Sequence, residues 1–175
     1  NDCDVLLMTA TPIPRTLTMT IYGDMDLSII REKPATRKPI KTYSKLEAKI
    51  DDILKFIKKQ IEINNQVFWV CPLIEESKKV DHTSAVKKFE YLSKVFPNNV
   101  GLLHGKTSIE DKEFILNDFL NNKFKILVST TIIEVGIDFP NANVIVIENA
   151  SKFGLSQLHQ LRGRVGRGIK QSTCI

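Results

Sequence analysis

KILVST (Lys125–Thr130) and NVIVIE (Asn143–Glu148) are two short apolar runs, rich in β-branched residues, that decide the fold of this chain. Neither run alternates apolar with polar residues, which is typical of strands buried on both faces of a sheet. Three more segments predict strands in the same way: IKTYS (40–44), QVFWVC (66–71) and VGLLH (100–104).

Helical patterns separate these strands. Apolar residues recur at helical spacing in four places: Leu46, Ile50, Ile53, Leu54, Ile57 and Ile61; Val86, Phe89, Leu92 and Phe96; Ile115, Leu116, Phe119 and Leu120; Leu155, Leu158 and Leu161. Ser44 with Glu47 and Ser108 with Asp111 fit N-terminal capping boxes, and Gly163 is placed to end the last helix. The alternation predicts an α/β fold with a parallel sheet covered by helices on both faces.

The composition of the 175 residues is that of a globular domain, with 42% hydrophobic and 26% charged residues. No apolar run approaches the roughly 20 residues that span a bilayer. Three widely spaced cysteines, Cys3, Cys71 and Cys174, predict reduced thiols in a cytoplasmic protein and no zinc site. The net charge of +5 is compatible with a polyanionic partner but does not require one.

The first forty residues follow another pattern. They predict a strand over residues 5–8, a helix over 14–22 and a strand over 25–30. EKPATRKPIK (32–41) follows, with two prolines and no large apolar residue before Ile40, which is the composition of a linker. We therefore expect a domain boundary within residues 32–39.

Functional groups of parallel sheets gather where strands end and loops lead into helices. Thr130 and Thr131 follow a predicted strand and are suited to donate hydrogen bonds to a nucleic-acid phosphate. Gly136 and Asp138 stand on the next turn, where a backbone could approach a nucleotide, although Asp138 equally fits a turn residue. His104 with Gly105 is suited to a phosphate contact, or to a structural hydrogen bond.

QLHQLRGRVGRG (157–168) concentrates cations and glycines in one segment. If the backbone stays roughly helical, Arg164 and Arg167 face the same way and offer fork-shaped donors for phosphate oxygens. The alternative is a solvated basic helix end, stabilised by the helix dipole. Proline and threonine in TATPIPR (9–15) fit either a relay between sites or a plain helix N-terminus.

Taken in order, these segments resemble the motifs of superfamily 2 helicases over essentially the full chain. TATPIPRT is similar to motif III, VCPLIEES to motif IV, the HG after a strand to the motif between IV and V, STTIIEVGIDFPNA to motif V, and QLHQLRGRVGRG to motif VI. Within the superfamily, CPLIEES and IENASKFGLSQ favour the bacterial branched-DNA helicases over the transcription-repair coupling factors. The resemblance implies a RecA-like second motor lobe over residues 40–175, a linker over 32–39, and the tail of the first lobe over 1–31.

The resemblance also implies a role for each matching residue. Arg164 and Arg167 match the motif VI arginines that reach ATP phosphates, and such an arginine is worth roughly 10³ or more in rate. Gln160 matches the leading polar position near the γ-phosphate, and Gly136 and Asp138 match motif V positions that link the nucleotide to DNA. Positions near the DNA backbone are matched by Thr130, Thr131, His104 and Gly105. The motif that couples the ATP state to the strength of DNA binding is matched by Thr9 and Thr11.

The partners implied are ATP with Mg²⁺, bound mainly by the first lobe, and DNA as forks and four-way junctions in recombination and repair. We expect a cytoplasmic monomer without a membrane partner. The 175 residues contain no G-x-x-x-x-G-K-[ST] loop and no acidic Mg²⁺-binding motif, so we expect no ATP hydrolysis or unwinding by this chain alone. A different class of function, an ATP-independent nucleic-acid-binding lobe, stays open, because only residues upstream of Asn1 distinguish it.

Overall fold

The computed structural model describes residues 6, 8, 28–30, 37–72, 78–130 and 138–175 of the chain. The chain divides into two compact units, Asn1–Ala35 and Thr36–Ile175, and the division falls inside the predicted linker. No helix in the described part is long and apolar enough to cross a membrane. The fold described below is that of the second unit.

Six parallel strands form one sheet in the order β1-β6-β5-β2-β4-β3. The strands are β1 (Lys41–Thr42), β2 (Gln66–Val70), β3 (Val100–Leu103), β4 (Ile126–Ser129), β5 (Ala142–Ile147) and β6 (Thr173–Cys174). The helices are α1 (Ile50–Glu62), α2 (Lys78–Val95), α3 (Ile109–Leu120) and α4 (Leu155–Arg162), with 3₁₀ turns at Glu47–Lys49 and Ala150–Lys152. The predicted fold class and the order of these elements are confirmed.

Two apolar clusters lie on the two faces of the sheet. Successive strand side chains point to opposite faces, so Phe68 and Val70 of β2 belong to one cluster while Val67 and Trp69 belong to the other. Helices α3 and α4 contribute Phe119 and Leu161 to the first, and helices α1 and α2 contribute Ile57 and Leu92 to the second. All five residues of β2 are buried, which explains why its sequence shows no alternation.

The helix ends follow the sequence signals only in part. Ser108 caps α3, because its Oγ accepts a hydrogen bond from the Asp111 backbone N–H at 3.1 Å. Gly163 ends α4, as predicted. The capping box at Ser44 and Glu47 is wrong: the chain enters the helical region through a 3₁₀ turn that starts after Leu46 and has no side-chain cap. Leu46, predicted to face the core, is 77% exposed.

The three elements predicted in the first forty residues lie almost wholly outside the described residues. Ser28, Ile29 and Ile30, at the end of the third of these elements, have no regular secondary structure.

Since all six strands are parallel, the sheet has one edge where strands begin and one where they end, here named the amino edge and the carboxyl edge. Strand β5, the longest, has six residues. At roughly 3.3 Å per residue, the two edges are about 20 Å apart. A residue at one edge therefore cannot share a small ligand with a residue at the other.

Candidate functional site

His104 and Thr130 lie at the carboxyl edge, directly after β3 and β4, as predicted. These strands are neighbours, and the Thr130 backbone N–H donates to the Leu103 carbonyl oxygen at 3.3 Å. Thr130 is buried, with 5% of its surface exposed. The structure brings together these two predicted DNA-backbone positions, while Thr131, Gly136, Thr9 and Thr11 lie outside the described residues.

The turn after β3 holds the His104 ring in one orientation. The Lys106 backbone N–H donates to His104 Nδ1 at 3.2 Å, and the His104 backbone N–H donates to Thr107 Oγ1 at 3.1 Å. Since Nδ1 accepts a hydrogen bond, the neutral ring carries its proton on Nε2, which makes that nitrogen a donor. Lys106 and Thr107 were missed as orienting residues, although HGKTS contains both.

Gly105 lies in the same turn and is exposed. A Cβ built on it would meet no atom within 4 Å, and its φ is not in the left-handed region. Neither packing nor backbone conformation in the described part of the chain therefore requires glycine here. A residue without a side chain at this exposed position permits close approach of an external group.

The last part of the segment QLHQLRGRVGRG (157–168), Gly166–Gly168, lies at the amino edge. A Cβ on Gly168 would lie 2.9 Å from the Pro140 carbonyl oxygen, just before β5, and one on Gly166 would lie 3.1 Å from Ile40, just before β1. The rule that functional groups of parallel sheets gather where strands end does not hold for Arg167. The cause is α4, which starts after β5 has ended and takes the chain back across the sheet before β6 begins.

Arg167 and Asp138 are brought together at this edge, with 3.8 Å between Arg167 Nη1 and Asp138 Oδ1. Their side chains are 32% and 59% exposed. An ion pair this long and this exposed contributes only about 0–1 kcal/mol. Asp138 can therefore orient the guanidinium group, and a stronger anion can still draw that group away from Asp138.

The premise that Arg164 and Arg167 share a helical face is also wrong. The Arg164 backbone N–H still donates to Leu161 at 3.0 Å, but Gly166 has φ +80°, which ends any helical geometry before Arg167. Arg164 is half-buried, and Gln160 is exposed on α4. The arginines thus stand on an irregular loop, fixed between them by Val165, which is 2% exposed.

The donors at the amino edge fit a polyphosphate, because guanidinium forks match phosphate oxygens in geometry and charge. A magnesium site does not fit here: among the described residues, no group of three or more His, Cys, Asp or Glu side chains could hold a metal ion.

Glu148, at the carboxyl end of β5, joins two strands to α2 and was missed by the sequence analysis. Its Oε2 accepts from Trp69 Nε1 at 2.9 Å, and its Oε1 lies 3.1 Å from Lys88 Nζ. Burial and then the Glu148 carboxylate raise the pKa of the Cys71 thiol to about 12. The thiol is therefore protonated at neutral pH, so Cys71 is not a nucleophile. The only signal was a carboxylate directly after an apolar strand.

A groove of about 990 Å³ also opens at the carboxyl edge, lined by apolar and aromatic residues that include Tyr43, Leu46, Tyr91 and Leu155. None of the predicted site residues lines it. The candidate site therefore consists of two surface regions at opposite edges, rather than one enclosed cavity.

Comparison with known proteins places these regions in a family. The helicase conserved C-terminal domain family matches residues 48–168. A solved structure of RecG bound to a three-way DNA junction aligns with a TM-score of 0.78 and 46% identity, covering 94% of this chain and 21% of that one. A yeast Dbp5 structure, at 20% identity and a TM-score of 0.62, shares the fold.

Curated relatives agree along the whole chain. The ATP-dependent DNA helicase RecG of Bacillus subtilis is 52% identical over 100% of this chain and 26% of its own length. That of Thermotoga maritima is 49% identical over 98% of this chain and 22% of its own length. The chain thus spans about a quarter of these relatives. It belongs to the family of helicase conserved C-terminal domains and is similar over its full length to RecG.

Proposed function

We propose that this chain is the second motor lobe of a RecG-type, ATP-dependent DNA helicase that remodels stalled forks and four-way junctions in recombination and repair. The observation that carries the proposal is the identity of about one half, spread over the whole chain, with relatives named ATP-dependent DNA helicase RecG.

The amino edge is suited to act on a nucleotide held by another lobe. When bound, ATP with Mg²⁺ supplies the phosphoryl group whose transfer drives the motor. Arg167 and Arg164 stand on a loop whose packing fixes the backbone, so their charges are in place before reaction. Pre-positioned cations stabilise negative charge that develops in the transition state, without a cost of reorganisation at that moment.

The carboxyl edge is suited to DNA. A single turn orients His104, Gly105 leaves space for close approach, and Thr130 lies beside them after the next strand. Contacts of this kind go to phosphate and sugar, so they fix position without reading sequence. DNA affinity at this edge should therefore depend strongly on salt.

Thr130 and Asp138 are eight positions apart in the chain and lie at opposite edges of the sheet. We expect nucleotide binding at one edge to be coupled to DNA binding at the other. A lobe of a transcription-repair coupling factor would share this arrangement, but the relatives described above favour RecG. A cytoplasmic, monomeric protein remains part of the proposal.

The test is ATP turnover by the full-length protein with forked DNA, with linear duplex of equal length, and with no DNA. We expect turnover stimulated most by the fork, and none from the 175-residue chain alone. Stimulation by RNA polymerase instead of by forks would favour the coupling-factor alternative. DNA binding with no ATP turnover under any condition would contradict the motor and favour an ATP-independent binding lobe.

A further inference from the structure

The segment from Arg167 to Cys174 contacts the segment from Asp138 to Ile145, and several of these contacts join residues with the same difference in residue number. In the β5–β6 ladder, Val144 pairs with Thr173 and Ile145 with Cys174, each 29 residues apart. The same offset continues before the ladder: Ser172 Oγ donates to Asn143 Oδ1 at 3.2 Å. It recurs between Asp138 and Arg167, the ion pair of the amino edge.

The ladder that sets this alignment is short. Strand β6 has only two residues, and it pairs through the same two residues with β1 and with β5. A slip of one residue would turn every side chain of the strand to the other face. Main-chain hydrogen bonds continue the pairing beyond the carboxyl end of β6, where the Ile175 N–H donates to the Ile145 carbonyl oxygen at 2.9 Å. Side-chain hydrogen bonds hold the other end of the strand.

A buried polar network lies where the ladder begins. Asn65, Asn143 and Ser172 are 3%, 1% and 0% exposed, before or within neighbouring strands β2, β5 and β6. Asn143 Nδ2 donates to Asn65 Oδ1 at 3.0 Å and to the Asn141 carbonyl at 3.1 Å. Lys170 Nζ, from the loop itself, donates to the same Asn65 oxygen at 3.1 Å.

The side-chain amide of Asn143 is satisfied at both ends, and the bond that its Oδ1 accepts from Ser172 depends on the observed alignment of β5 with β6. A buried amide without its partners is costly, so a satisfied network of this kind selects one arrangement over its neighbours. The network acts on the loop at Lys170 and Ser172, three and five residues after Arg167. It can fix where Arg167 stands without touching the nucleotide.

We propose that Asn143 is a positioning residue for Arg167: through Ser172 and Asn65, it fixes the alignment that sets Arg167 opposite Asp138. This inference rests on the proposed function, since it assigns Arg167 a task in ATP hydrolysis. An arginine that is displaced by about 1 Å from its working position can lose up to a hundredfold in rate.

The test uses the full-length protein with forked DNA. Asn143→Ala should lower kcat for ATP about tenfold or more, with KM for ATP changed less than about twofold, because the lost contact acts in the transition state. Val144→Ala is the matched control. It removes buried volume from the next position of β5, on the cluster that does not include the loop, and should leave kcat within about twofold of wild type.

A double variant separates positioning from stability. Replacing both members of a buried hydrogen bond by apolar groups can be nearly neutral for stability. Asn143→Leu with Ser172→Ala should therefore melt closer to wild type than Asn143→Ala does, yet kcat should stay low. Recovery of kcat together with the melting temperature would show a purely structural role and overturn the inference.

Hydrogen exchange gives a readout that does not depend on ATP hydrolysis. Amides of residues 166–172 should exchange faster in Asn143→Ala and in the double variant than in Val144→Ala, at a temperature where all three are folded. If Arg167→Ala abolishes turnover while Asn143→Ala behaves as Val144→Ala in both assays, the positioning inference fails and the proposed function stands. If wild type shows no turnover, the proposed function fails, and the exchange rates still decide whether Asn143 fixes the loop.

Discussion

The two edges of the sheet carry candidate functional residues in different ways. At the carboxyl edge, His104 and Thr130 come directly after their strands, and the turn that contains Gly105 orients the His104 ring. At the amino edge, Arg167 stands on a loop that α4 has brought back across the sheet, and buried contacts on both sides of the arginine hold it.

This difference separates two kinds of constraint. The turn at the carboxyl edge is defined locally, within four residues, and Gly105 has open space around it. The loop at the amino edge is defined by residues far away in sequence, since Gly168 packs on Pro140 and Ser172 bonds Asn143. Changes at the first edge should affect ligand contacts alone, whereas changes at the second should affect both loop geometry and stability.

The largest effect is expected for Arg167→Ala in the full-length protein. Removing a cation that stabilises charge on the transferred phosphoryl group should lower kcat for ATP by roughly 10³, as measured by steady-state turnover with forked DNA. The control is Lys123→Ala, which removes an exposed cation paired with Asp118 and should change kcat little. Equal losses in the two variants would mean that Arg167 contributes only net charge.

A smaller effect on rate is expected for Gly168→Ala. Its new Cβ would lie 2.9 Å from the Pro140 carbonyl oxygen. This is a backbone atom, so no side-chain rotation can move it away. Relief of the clash should cost about 1–3 kcal/mol of stability and lower kcat about tenfold to a hundredfold by moving Arg167. Denaturant unfolding and ATP turnover check the two parts. Wild-type values of both would contradict the close packing at this edge.

Gly105→Ala is the counterpart at the carboxyl edge. Its Cβ would meet no protein atom, so the free energy of unfolding should stay within about 0.5 kcal/mol of wild type. If DNA approaches this backbone closely, the loss of about 1 kcal/mol of contact should weaken DNA affinity about fivefold. Fluorescence anisotropy with forked DNA, without nucleotide, measures it. Unchanged affinity would remove Gly105 from the DNA-binding surface.

The sequence predicted more of the first edge than of the second, for a physical reason. Strand order in the chain and the rule for parallel sheets are enough to place His104 and Thr130. The position of the arginines depends on where α4 ends relative to the sheet, and the pattern of Leu155, Leu158 and Leu161 does not contain that information. The alignment of Asn143 with Ser172 is a tertiary contact without a local signal.

The starts of two helices show the same limit of prediction from local sequence. Ser108 caps α3 because its partner Asp111 is within the same turn, so the local pattern was sufficient. Ser44 and Glu47 have an equivalent pattern, but the chain leaves β1 through a 3₁₀ turn that leaves no role for the cap. Tertiary context therefore decided between two equal local signals.

The smallest effect is expected for Lys106→Ala, which removes an exposed cation next to His104 while leaving the backbone N–H that orients the ring. If this lysine contacts a phosphate, the slope of log affinity for DNA against log salt should fall by about 1. Titrations at several salt concentrations measure the slope. Lys58→Ala, an exposed position on α1, is the control; an equal change there would indicate only a loss of net charge.

The most direct test is a structure of the full-length protein with Mg²⁺ and a non-hydrolysable ATP analogue. We predict that Arg167 leaves its 3.8 Å pairing with Asp138 and that its guanidinium group lies about 2.7–2.9 Å from a phosphate oxygen. Forked DNA in the same complex should contact the opposite edge of the sheet. If Arg167 stays on Asp138 while the phosphates are bound only by the other lobe, the division of function between the two edges is contradicted.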